Sequence, residues 1–199
     1  MNEAQIHLGS SDPVLKQIIA SIDLPKPIDS NSVFHDLMAC TIEQQIPYRS
    51  SKKTFEKLLK KASISVLTPE NFGTFEKQAL HDIKLSESKY ATIQRILDQW
   101  KEMPQNWHEL SKLEVRSAFN QIKGIGPWTV DMILMYTLGF PDIFPSDDYH
   151  LKQIMPHLYD LNPKSRLKAQ MKNVAENWSP YRSVATRYLL EWKKFGRLK

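Results

Sequence analysis

With a single cysteine, Cys40, the 199-residue chain cannot close an intramolecular disulfide or build a four-cysteine zinc or iron–sulfur site. Cys40 itself falls on an apolar helical pattern, so it reads as a buried, inert thiol rather than a nucleophile. Long apolar runs are missing too. No stretch reaches the length of a membrane span, and the opening MNEAQIHLGSSDPVLK lacks the basic segment and apolar core of a secretion signal, so an intracellular location is expected. No alternating strand pattern, internal repeat, low-complexity tract or metal-ligand cluster occurs. What remains is an ordinary globular composition, 41% hydrophobic and 25% charged, in a chain long enough for one large domain or two lobes. The net charge of +5 favours a polyanionic partner but falls short of a histone-like excess.

Helical periodicity fills the chain. Asp12-Pro13 marks a helix start, with Leu15, Ile18, Ile19 and Ile22 on its apolar face and Pro25 and Pro27 ending it. Ser30 to Ser32 cap a second helix that buries Val33, Phe34, Leu37, Met38 and Ile42 and ends near Gln44-Gln45-Ile46-Pro47. The next begins near Arg49 and sets Phe55, Leu58, Leu59 and Ala62 against a lysine-rich face that reads as solvated. Thr68-Pro69-Glu70 predicts another start, and Ser86 a longer helix with Tyr90, Ile93, Ile96, Leu97 and Trp100 facing inward. Farther on, Asn162-Pro163 predicts a start before Leu167, and the last helix carries Tyr181, Val184, Ala185, Tyr188, Leu189 and Trp192. The pattern predicts an all-α fold of about ten helices in two lobes with a cleft between them.

One stretch speaks about function: QIKGIGPWTVDMILMYTLGFPDIFPSDDYH, residues 121–150. Upstream, Ser111 and Glu114 have the spacing of a capping box, followed by apolar Val115, Ala118, Phe119 and Ile122. Gly124 and Gly126 then bracket Ile125, in a turn that admits positive φ and has no Cβ to obstruct a ligand, and Pro127 suits the first turn of a new helix. In such a helix-hairpin-helix unit the amides of Gly124, Ile125 and Gly126 can face a phosphate, which would hold DNA without reading its sequence. Taken alone, a Gly-Ile-Gly between helices is more often only a turn. Asp147 and Asp148 follow Phe144-Pro145-Ser146 and precede a helix, so either acid can simply cap that helix.

The order hairpin, Pro-Trp-Thr helix, then Asp-Ile-Phe-Pro-Ser-Asp-Asp-Tyr resembles the helix-hairpin-helix, Gly/Pro-rich, aspartate superfamily of DNA glycosylases. Within it, the likeness is to the branch of 3-methyladenine DNA glycosylase II. Ser-Asp-Pro-Val-Leu near the start, Leu-Ser-Glu-Ser-Lys at 85–89 and Trp-Ser-Pro-Tyr-Arg-Ser at 178–183 are similar to the same branch. The resemblance implies one glycosylase domain over residues 1–199. Its all-α, two-lobed fold would place an active-site cleft between the lobes, with the helix-hairpin-helix at about 111–138 and no β-rich N-terminal domain. It implies Asp148 as the catalytic carboxylate with Asp147 flanking it, and Trp128 as an aromatic residue of the base pocket. Gln45 would be the wedge that enters the DNA stack and Gln44 its neighbour, although two amides at an exposed helix end, and packing of Trp128 against the hairpin, are the plain structural alternatives. The cysteine count disfavours the iron–sulfur members.

The implied chemistry is hydrolysis of an N-glycosidic bond, in which positive charge builds on the sugar and a nearby carboxylate stabilises it and orients water. A first-turn position helps keep such an acid ionised. An alkylated purine such as 3-methyladenine leaves readily, so extrusion and recognition of the base are the main tasks, and an aromatic pocket suits its cationic ring. Trp128 and Ser117 stand where bifunctional relatives carry a catalytic lysine, which implies a monofunctional enzyme. Met132 and Leu190 replace aromatic pocket residues of some relatives, a change that bears on pocket width. His150 beside the acids reads as a surface partner rather than a general base. The expected partner is double-stranded DNA containing alkylated bases, met by a monomer in the nucleoid or cytoplasm of a prokaryote or the nucleus of a eukaryote. No cofactor or metal is expected beyond a monovalent cation on hairpin carbonyls. The alternative is a helix-hairpin-helix DNA-binding protein that has kept the scaffold and lost catalysis.

Overall fold

The structure, a computed structural model, describes residues 1–25, 32–43 and 48–195, with the backbone alone for 48–53 and Asp82. Gln44 and Gln45 lie outside the described residues. The described chain is helical throughout, with no strand: α1 (Glu3–Ser11), α2 (Pro13–Ser21), α3 (Val33–Glu43), α4 (Tyr48–Lys61), α5 (Phe72–Gln78), α6 (Glu87–Gln99), α7 (Lys112–Asn120), α8 (Pro127–Met132), α9 (Tyr149–Tyr159), α10 (Leu167–Glu176) and α11 (Arg182–Lys194). Short 3₁₀ turns at Leu80–Asp82, Trp100–Glu102 and Trp107–Glu109 link them, and α8 runs on as a π-helical stretch, Ile133–Thr137.

The chain divides into two compact units, one built from Met1–Pro27 with Gly139–Lys199 and the other from Ile28–Leu138. The unit of both chain ends has its own apolar core, in which Leu8, Leu15 and Ile18 meet Leu151, Met155, Trp178 and Leu189. Asp12 locks it. One carboxylate oxygen accepts the Val14 and Leu15 amides at 2.8 and 3.0 Å and so caps α2, while the other accepts the Tyr159 hydroxyl at 2.9 Å and the Trp178 indole N–H at 2.7 Å. Burial, with the Asp12 carboxylate beside it, pushes the Tyr159 hydroxyl far above its usual range. In the central unit, Phe34 meets Trp100 edge-on, and Trp100, Trp107 and Phe119 stack in series at centroid distances of 5.9 and 4.7 Å.

Four local expectations need correction. A helix, α1, precedes the expected first one; it carries an Asn2–Gln5 capping box but only one fully buried side chain, Leu8, so it has almost no apolar stripe to betray it. Thr68-Pro69-Glu70 does not open a helix: Thr68 and Asn71 exchange backbone-to-side-chain bonds in a turn of their own, and α5 begins at Phe72. Likewise Asn162 caps the Lys164 amide at 2.9 Å in a turn, and α10 waits until Leu167. Tyr90 faces solvent, with its hydroxyl on Glu76, and Thr92 takes the buried position instead.

Candidate active site

The hairpin is built by the sequence features that predict it. The Ser111–Glu114 capping box forms in both directions and starts α7. The helix buries Val115, Ala118 and Phe119, and at its end Ile125 folds back to donate its amide to the Ile122 carbonyl at 3.1 Å. Gly124 takes φ +109°, where only glycine is unstrained. It also has no room for a side chain, because an added Cβ would lie 2.1 Å from the Thr92 hydroxyl oxygen on α6. Gly126 differs: its φ is −94°, it occupies the N-cap of α8, and an added Cβ would meet nothing within 4 Å. The fold itself therefore does not require a glycine there. Among the described residues the Gly124 and Gly126 amides donate to no acceptor, whereas the Ile125 amide is committed to the turn and the Ile125 side chain is buried.

Pro127 opens α8, and Trp128 follows half-buried in its first turn. Asp131 on the same helix is buried and ion-paired with Arg116 of α7, which ties together the two helices flanking the hairpin. Ser117 is exposed on α7 and Met132 is buried. On the carbonyl edge of the hairpin, Lys123 accepts a bond at 3.2 Å from the Arg95 guanidinium. The Lys123 and Ile122 carbonyls are thus each met by a donor of the chain itself.

The acids belong to the other unit, where a short loop delivers them. Gly139 turns at φ +69° and the following residues are fastened to the start of α11. Ser183 donates its hydroxyl to the Phe140 carbonyl at 2.6 Å and its amide to the Pro141 carbonyl at 2.9 Å, and its oxygen accepts the Ile143 amide at 3.0 Å. Asp142 accepts both Nε and Nη2 of Arg182 at 2.6 Å, and the Ser179 hydroxyl at 3.1 Å. Those bonds from Arg182 hold the Asp142 carboxyl below its usual range against the opposing effect of burial. Phe144 packs edge-on against Trp178 at 5.6 Å.

This fixed loop ends on two acids in unlike surroundings. Asp147 is partly exposed and ion-paired with Lys168 and, at 3.1 Å, with Lys152; the Lys168 bond is the main reason its carboxyl sits below the usual range. Asp148 is 4% exposed and is the N-cap of α9, with one oxygen accepting the His150 amide at 2.8 Å and the Leu151 amide at 2.9 Å. The capping role that the sequence left open is therefore real, and it pins the carboxylate in one orientation. Sequence reasoning missed the lysine beside it. Lys193 of α11 bonds to His150 Nδ1 at 2.7 Å and to the Gln153 side chain, and lies 5.7 Å above the Tyr149 ring. An ammonium only donates, so His150 Nδ1 must accept and its proton resides on Nε2. Burial first, and the Lys193 charge second, push the imidazole below its usual range. In that arrangement the Nδ1 lone pair of His150 is engaged by Lys193. Leu190, also on α11, is half-buried.

No family model matches the chain. DNA-3-methyladenine glycosylase 1 of Schizosaccharomyces pombe is 25% identical over 205 residues, covering 97% of this chain and 87% of that protein. The solved structure of the S. pombe 3-methyladenine DNA glycosylase in complex with abasic DNA superposes with a TM-score of 0.80 at 25% identity, over 97% of each chain. The crystal structure of a DNA-3-methyladenine glycosidase from Bacillus halodurans shares the fold, with a TM-score of 0.72 at 21% identity over 99% of this chain and 92% of that one. In its all-helical fold, and in the order of its glycine hairpin and capped aspartate, the chain is similar over nearly its whole length to these DNA-3-methyladenine glycosylases, which supports placing it with the helix-hairpin-helix superfamily of DNA glycosylases.

Proposed function

We propose that the protein is a monofunctional DNA glycosylase that removes alkylated purines such as 3-methyladenine from double-stranded DNA. The observation that carries the reading is Asp148: a buried carboxylate held by two backbone amides at the end of a braced loop, in a chain that matches an abasic-DNA-bound glycosylase over nearly its whole length. In this mechanism the hairpin amides of Gly124 and Gly126 hold the DNA backbone and the damaged nucleotide is turned out of the duplex. Trp128 offers an aromatic face to the cationic base. As the glycosidic bond lengthens, positive charge grows on the sugar, and the Asp148 carboxylate stabilises it and orients the attacking water. Because Asp147 is already committed to two lysines, Asp148 is the acid suited to that task. No amine is assigned as a nucleophile, so the product is free base and an intact abasic strand. The reaction calls for no cofactor or metal, and a monomer suffices.

The test is a single-turnover incubation with methylated duplex DNA, scoring released base and strand integrity separately. Free 3-methyladenine with an uncut strand is expected. A protein that binds the duplex yet releases no base from any alkylated or deaminated substrate would instead be a DNA-binding scaffold.

A further inference from the structure

The site around the hairpin extends onto α6. Thr92 packs directly beneath Gly124, close enough to forbid a Cβ there, and holds its place by donating to the Ser88 carbonyl at 2.9 Å. Arg95 stands three residues on, on the same helical face, and its guanidinium reaches the Lys123 carbonyl at the base of the turn. Arg116, on α7 before the hairpin, pairs with Asp131 of α8. Arg95 is different. Among the described residues its one hydrogen-bond acceptor is that neutral carbonyl, so of the five N–H donors on a guanidinium one is used and the full positive charge remains. Lys123 adds a second, exposed cation at the same turn.

We propose that Arg95 is a second DNA-backbone ligand, binding the phosphate next to the one held by the Gly124 and Gly126 amides. This rests on the hairpin being a DNA-binding site, and extends it from a single phosphate to a short track along one strand. The planar guanidinium can grip a phosphate with two parallel N–H bonds while a third N–H stays on Lys123, so the same side chain steadies the turn and supplies its charge. The carbonyl edge where a monovalent cation was expected by resemblance thus carries a covalently attached one.

Three variants separate charge from bracing. Arg95→Gln keeps an N–H for the Lys123 carbonyl but no charge; Arg95→Lys keeps the charge but not the fork; Arg95→Ala keeps neither. Equilibrium binding to undamaged duplex DNA is measured over a range of salt concentrations, with thermal melting as the check on folding. The Gln variant should bind roughly five- to tenfold more weakly, with a salt slope shallower by about 0.9. The Lys variant should keep the wild-type slope and most of the affinity. If the Gln variant binds with wild-type affinity and slope, Arg95 is only a brace and the proposal fails. If the Gln and Lys variants weaken equally with unchanged slopes, it fails as well. Because this assay needs no base release, its outcome is independent of the catalytic reading.

Discussion

The two hairpin glycines should respond to the same substitution in opposite ways. At Gly124 an alanine would have to adopt φ +109° and place its Cβ 2.1 Å from Thr92 Oγ1 and 2.9 Å from the Thr92 methyl. The backbone strain alone is worth about 1–3 kcal/mol. Relieving the overlap means turning Thr92 and breaking its bond to Ser88, or pushing α6 away, at a further cost of about 1–2 kcal/mol. Gly124→Ala should therefore lose about 3 kcal/mol or more, a substantial part of the total stability of a small protein. Thr92→Ala added to it should restore the part due to overlap and leave the strain, giving a favourable coupling in a double-mutant cycle. At Gly126 the added methyl meets nothing within 4 Å and φ is ordinary, so stability should stay within about 0.5 kcal/mol. On the proposed hairpin site DNA affinity should nevertheless fall, because a side chain at this position would keep a phosphate from the Gly126 amide, and Gly126→Val should lower it further. Urea unfolding and binding to undamaged duplex measure the two effects separately. Equal destabilisation by both alanines would refute the packing argument. Wild-type DNA affinity in a folded Gly126→Val protein would refute the close-approach argument.

Other consequences follow from the polar contacts of the unit that carries the acids. Asp12→Ala removes a helix cap and leaves the buried Trp178 N–H and Tyr159 hydroxyl without their acceptor, so denaturation should show a loss of about 3–5 kcal/mol; a loss under 1 kcal/mol would mean that water or rearrangement replaces the carboxylate. Asp142→Asn should cost about 1 kcal/mol at neutral pH, the pair with Arg182 being partly solvent-screened. Since the folded state lowers the Asp142 pKa, the stabilisation is present above the ordinary carboxylate range and disappears as pH falls through the folded value. The wild-type and Asn melting curves should therefore converge in acid, and a gap that widens there would contradict the assignment. Product strands should break only after alkali or heat, and borohydride should trap no enzyme–DNA adduct.

How much of this was legible in the sequence depended on how local the cause was. The capping box at Ser111–Glu114, the Asp12-Pro13 start and the Ser86 cap are contacts within a few residues, and each forms as the spacing predicts. The late starts of α5 and α10 show where local signals compete: Thr68 with Asn71, and Asn162 with Lys164, satisfy the same donors in turns before a helix can claim them. Long-range effects left no local trace. Nothing around Gly124 announces that Thr92 fills the space beneath it. Asp12 reads as a cap, while its bonds to residues 147 and 166 positions away are tertiary facts. The same holds for Asp142 with Arg182 and for Lys193 with His150, which join loop and helix starts to α11. The choice of Asp148 over Asp147 rested on resemblance; what no local pattern told is how unlike their surroundings are, one acid being capped and buried and the other paired with two lysines.

The most direct test of the account is single-turnover release of 3-methyladenine by Asp148→Asn beside wild type and Asp147→Asn. Asparagine is the right replacement because its carbonyl oxygen can still accept the His150 and Leu151 amides, so α9 keeps its cap and only the charge is lost; alanine would remove both. Base release should fall on the order of 10²- to 10³-fold with DNA affinity preserved or increased, while Asp147→Asn, which frees Lys152 and Lys168, should retain most of the activity. Full activity in a folded Asp148→Asn protein, or a collapse confined to Asp147→Asn, would contradict the assignment of Asp148 as the acid that stabilises the sugar cation.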